Sequence, residues 1–106
     1  MAQRVFFLNT LKQGVDPAEY EEWVRTVDYP VARRQAAISS YVVTRVDGHV
    51  VQGDELPCQY LEVIEVTSID EYRTSLEGNE ELEALLREWA TFVDRSVAVY
   101  GEVIDG

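Results

Sequence analysis

Asp28 and Glu62 are the two carboxylates whose settings could turn them to chemistry. Asp28 stands in the run WVRTVDYPVARR, where a helix-like stretch meets Tyr29-Pro30. Glu62 stands in QYLEVIEV, with Tyr60 and Ile64 two residues to either side, so strand alternation sets a carboxylate on an apolar face. A carboxyl withdrawn from water keeps its proton longer and can act as a general acid or base near neutral pH. Each residue also has a plainer role open to it. Asp28 could cap the turn that starts at Pro30, and a carboxylate that accepts backbone amide bonds is a poorer base. Glu62 could meet a partner subunit rather than line a pocket.

Around this pair stand residues that could bind. Arg33 lies five positions after Asp28. It could hold an anionic group or an enolate-like oxygen, end a helix in solvent, or pair with Asp28. Tyr20, Trp23, Tyr29, Tyr41 and Tyr100 could form a cleft for a flat heteroaromatic ligand, with Tyr60 beside Glu62, although aromatics at helical or strand spacing also simply build cores. Trp89, in a leucine-rich segment, reads as core. His49 follows the turn signal Asp47-Gly48, which suggests solvent, unless the long loop folds inward and brings it to a pocket mouth. One histidine and one cysteine, Cys58, make no ligand cluster, so no metal site is expected. No glycine-rich phosphate loop is present, which argues against a nucleotide cofactor, and no convincing Ser-His-Asp or Cys-His set appears.

The elements that must position these residues follow from periodicity. Residues 4–11, RVFFLNTL, are aromatic and branched and predict a strand. Asp16-Pro17-Ala18-Glu19 opens a helix with a capping residue, a proline in the first turn and an acid three residues on. Tyr20, Trp23, Val24, Val27 and Val31 mark its apolar face. Pro30 should interrupt that helix, because it lacks a donor and biases Tyr29 away from helical angles. A kink or helix-to-helix step is expected there. Residues 38–46 predict a second strand, and the connection through VVQGDELP is long enough to hold a short extra ladder. Residues 59–66 predict a third strand. Ser68-Ile69-Asp70-Glu71 is a capping box for a helix ending near Gly78, and Asn79 restarts it. Leu82, Leu85, Leu86, Trp89 and Phe92 recur at helical spacing, and residues 96–104 predict the last strand. The order βαββαβ predicts one α+β domain over residues 1–106: a ferredoxin-like, four-stranded antiparallel sheet with helices on one face.

Both faces of that sheet are apolar. Val5 and Phe7 oppose Phe6 and Leu8, and Val97 and Val99 oppose Ala98 and Tyr100. Two helices cover one face only, and bare apolar surface is unfavourable by about 25 cal/mol per Å2. A homodimeric α+β barrel, sheet packed on sheet, is therefore expected. The chain has 106 residues, nine basic and twenty acidic, for a net charge of −11. Such a surface repels phosphate backbones and anionic lipids, which argues against nucleic-acid and membrane partners. With no secretion signal in MAQRVFFLNT and no long apolar run, the cytoplasm is the expected location.

The stretch DPAEYEEWVRTVDYPVAR, followed by the strand SSYVVTRV, resembles the RedY-like (HapK-like) group of the dimeric α+β barrel superfamily. These are small proteins encoded with prodigiosin-type pigment and antibiotic pathways. The resemblance implies a cofactor-independent protein of bacterial secondary metabolism. It would assist condensation, dehydration, cyclisation or rearrangement of a pyrrole- or indole-type intermediate. The alternative is a non-catalytic carrier, or an accessory protein for a larger pathway enzyme. Several cofactor-free barrel proteins carry a tryptophan, then a histidine and a proline, near the end of the first helix. Trp23 and Pro30 match that pattern, and Asp28 stands where the histidine would be. By this resemblance Asp28 would be the base, Glu62 a second acid-base group and Arg33 an anion or oxyanion contact.

Overall fold

The computed structural model describes residues 2–106. Strand β1 (Gln3–Leu11) leads through a turn at Gly14, whose φ of 87° suits a residue without a Cβ, to helix α1 (Pro17–Trp23). Asp16 caps α1 by accepting a hydrogen bond from the Ala18 amide. Helix α2 (Tyr29–Arg33) follows with no non-helical residue between and leads to β2 (Ile38–Arg45). Residues 46–59, long enough for a short extra ladder, form an irregular connection with no ladder of their own. The Gly- and Pro-bearing run there has no alternating apolar face to bury. Strand β3 (Tyr60–Val66), helix α3 (Ile69–Leu76), helix α4 (Glu80–Phe92) and β4 (Val93–Glu102) complete the chain. Ser68 and Asn79 cap α3 and α4 by accepting from the amides of Glu71 and Leu82. Gly78, at φ 64°, closes α3.

The sheet is antiparallel in the order β2-β3-β1-β4, which is the ferredoxin-like arrangement expected from the element order. All helices pack on one face. Val5 and Asn9 of β1 and Tyr60, Glu62, Ile64 and Val66 of β3 are buried beneath them. A one-residue bulge between Ile38 and Ser40 lets Ile38 and Tyr41, three apart, both face the helices. On the opposite face Val97 is 53% exposed and Val99 51%, beside the half-buried Phe6 and Leu8. Strand β4 begins three residues earlier than expected. No turn residue separates it from α4, and the Lys12 amide caps the Phe92 carbonyl at 2.8 Å.

Pro30 does not break the helix. Val24–Asp28 winds as a π-helical turn, and the Tyr29 amide donates to the Val24 carbonyl five residues back. Tyr29 keeps helical angles (φ −57°, ψ −50°), contrary to the expected bias. A proline ring would clash with the carbonyl four residues before it in a regular helix. The wider turn gives that ring room. Tyr29 is further held by its own side chain: its hydroxyl accepts from the Val43 amide at 2.9 Å and donates to the Val43 carbonyl at 3.3 Å.

Candidate functional site

The extra residue of the π-turn aims Asp28 at the sheet. Its side chain makes no cap bond to α2. Asp28 is instead buried, 4% exposed, with Oδ2 2.6 Å from the Tyr41 hydroxyl. Glu62, 5% exposed, has Oε1 2.5 Å from the same hydroxyl. Strand parity brings Glu62 here, and the bulge in β2 brings Tyr41. Glu62 Oε2 accepts from the amide nitrogen of Asn9, and the Ser96 hydroxyl donates to the Asn9 carbonyl oxygen at 2.6 Å. That second bond fixes the way the Asn9 amide points.

One hydroxyl carries one proton, yet Tyr41 lies within hydrogen-bond distance of two carboxyl oxygens. Both contacts are bonded only when one carboxyl is protonated and donates to the Tyr41 oxygen while Tyr41 donates to the other. Burial raises the Glu62 carboxyl above its ordinary value, and hydrogen bonds from Tyr41, Asn9 and Trp89 oppose it. Asp28 has Tyr41 alone. Burial, reinforced by the nearby Glu62 charge, pushes the Asp28 carboxyl up from 3.8 to about 7. Both carboxyls are raised, and the two donors on Glu62 against one on Asp28 favour Asp28 as the holder of the shared proton. Burial, with both carboxylates nearby, holds the Tyr41 phenol well above its ordinary value, so it stays protonated.

The pair forms one wall of a narrow recess between helices and sheet, of about 60 Å3. Phe7 and Trp89, edge to face at 6.4 Å, and Tyr72 and Leu85 supply other walls. Leu86, 43% exposed, marks where the recess reaches the surface.

Of the residues singled out in the sequence, the structure brings Asp28, Glu62 and Tyr41 together here. The others lie elsewhere. Trp23 sits in an aromatic core with Tyr20 and Phe92, its centroids 6.1 and 5.3 Å from theirs. Tyr60 donates to Glu21 at 2.7 Å and, with Tyr29 and Arg45, lines a separate cleft of about 220 Å3. Arg33 stacks on Tyr29 at 3.8 Å and donates to the Tyr41 carbonyl at 3.0 Å, making no ion pair with Asp28. His49 lies exposed in the long connection, its Nε2 3.1 Å from the Asp54 carbonyl oxygen. Tyr72 and Ser96 were not singled out, and Trp89 was read as core only. Trp89 does pack against the core, but one side of it faces the recess. Among the described residues no group of three His, Cys, Asp or Glu side chains is placed to hold a metal ion. No helix is long and apolar enough to cross a membrane.

The fold has several relatives of known structure. HapK from Hahella chejuensis superposes with a TM-score of 0.78 at 20% identity, covering 98% of this chain and 94% of that one. A dimeric ferredoxin-like protein of unknown function from Thermobifida fusca gives 0.73 at 19%, covering 97% and 92%. A hydroxynitrile lyase from Passiflora edulis gives 0.79 at 9%, covering 99% and 95%. At these identities the likeness is one of fold. No curated protein matches the chain. The family model described as REDY-like protein HapK matches residues 3–104, nearly the whole length, and the chain belongs to that family.

Proposed function

We propose that the protein binds a flat pyrrole- or indole-type intermediate of bacterial secondary metabolism in the recess. There it assists condensation, dehydration, cyclisation or rearrangement by acid-base chemistry, without a cofactor. The observation that carries this reading is the single Tyr41 hydroxyl between the Asp28 and Glu62 carboxyls. Asp28 enters as the acid and Glu62 as the carboxylate. If the Asp28 proton moves to the Tyr41 oxygen while the Tyr41 proton moves to Glu62, the two carboxyls exchange roles. Such a pair can protonate a leaving or carbonyl oxygen and take a proton from the same ligand, as dehydration and condensation require. The apolar walls keep water away from the pair, which strengthens both effects.

Turnover of pyrrole- and indole-type intermediates by the wild type and by Asp28→Asn tests this. A loss of about 100-fold or more is expected, in line with general acid-base contributions. A second reading, a non-catalytic carrier, is favoured by one feature: both Glu62 oxygens already hold a donor. Binding of an intermediate with no turnover in either protein would establish the carrier and sink the enzyme.

The same proposal sets a second copy on the helix-free face. The exposed Val42, Val97 and Val99 there, and the dimeric relatives from Thermobifida fusca and Bacteroides fragilis, support it. Sedimentation should give twice the chain mass for the wild type and a single chain mass for Val99→Glu. A wild-type monomer at micromolar concentration would overturn it.

A further inference from the structure

The ion pairs of this molecule lie on its surface. Arg34 meets Glu81, Arg45 meets Glu21 and Asp47, and Arg25 meets Glu21 and Glu22. The two buried carboxyls have no such partner. From β2 the recess receives Tyr41, from β3 Glu62 and from α3 Tyr72; α4 adds the Trp89 indole, and β1 only Phe7. No lysine, arginine or histidine is among its lining residues. Arg33, the nearest sequence candidate, is committed to the Tyr29 ring and the Tyr41 carbonyl and borders a different cleft. Buried carboxyl groups are ordinarily matched by a cation or kept neutral. Here the protein supplies only a shared proton.

We infer that the recess selects a flat ligand bearing a basic nitrogen, holds it as the cation against Asp28 and Glu62, and excludes anions. This rests on the reading of the recess as a ligand site. When a neutral base enters, the Asp28 O–H proton passes to the nitrogen lone pair. Asp28 becomes a carboxylate, and the new N–H donates back to it. A ligand that arrives already protonated instead displaces the Asp28 proton to solvent. In both cases the ligand brings the counter-charge that the chain lacks. Phe7, Trp89 and Tyr72 offer ring faces and edges to a planar cation, and Trp in particular favours such contact. The net charge of −11 draws cations toward the mouth.

Three flat probes of similar size separate the possibilities: 4-aminoquinoline as the cation, indole as the neutral ring and quinoline-4-carboxylate as the anion. Calorimetric titration at neutral pH should show 4-aminoquinoline binding at least tenfold tighter than indole, and no heat from the carboxylate. Ala32→Phe, which fills the recess, should abolish binding of both, and circular dichroism checks that it folds. Asp28→Asn should reduce the preference for 4-aminoquinoline over indole to less than threefold. Equal affinity for indole and 4-aminoquinoline, or binding of the carboxylate, would overturn the inference and leave the ligand site standing. No binding by any probe, or binding that Ala32→Phe leaves intact, would overturn the inference and the ligand site together.

Discussion

The layer between helices and sheet is packed in two different ways. At one end Tyr20, Trp23, Tyr60 and Phe92 interlock with centroids 4.8 to 6.1 Å apart, and Val24, Leu82 and Val93 close the gaps. At the other end Ala32, Ile38 and Ile64 leave open space beside two carboxyls. The aromatic end has donors to spare: the Tyr20 hydroxyl and the Trp23 indole nitrogen are buried with no hydrogen-bond partner. The carboxyl end has more acceptors than protons.

The largest expected effect breaks the aromatic end. Trp23→Ala should remove about 3–5 kcal/mol of stability, as for other buried large-to-small changes, read from denaturant midpoints. A loss below about 1 kcal/mol would erase the contrast between the two ends.

Next is the pH dependence of the hollow end. The Asp28 carboxyl is raised in the folded state, so the native protein binds a proton that the unfolded chain has already lost. Stability is then complete below about pH 4 and falls as pH rises through about 7. The raise from 3.8 to about 7 corresponds to roughly 4 kcal/mol, an upper figure for one group in a coupled pair. Unfolding free energies at pH 5 and pH 8 should show about two-thirds of this decline in the wild type and much less of it in Asp28→Asn. A decline of the same size in both would place the shared proton elsewhere.

A paired substitution sharpens the packing contrast. Val24→Phe, in the filled end, should be destabilising by about 1–3 kcal/mol through overpacking. Ala32→Val, beside the hollow, should be destabilising by less than about 1 kcal/mol. The smallest effect is outside both ends. Arg34→Ala, which removes the exposed pair with Glu81, should change stability by about 1 kcal/mol or less.

Legibility in the sequence followed the range of the forces involved. The caps at Ser68 and Asn79 and the stop at Gly78 depend on neighbours within a few residues, and all three lie where expected. Glu62 was legible as an odd carboxylate on an apolar strand face because alternation is local. The meeting of Asp28 with Tyr41 was not. It depends on a one-residue bulge in β2 and one extra residue in the helix, and neither changes the hydrophobic pattern enough to be read over five residues. The same holds for Asn9 and Ser96, which meet only through the register of β1 with β4.

The π-turn at Val24–Asp28 also sets the direction of its side chains. In a regular helix each residue advances the side-chain direction by about 100°. Winding those five residues as an ordinary helix, with none removed, would set Asp28 about 140° round from Trp23. Trp23 and Asp28 could then no longer both point inward. The wider winding of five residues thus separates a molecule with an acid beneath its helix from one with a sealed interior.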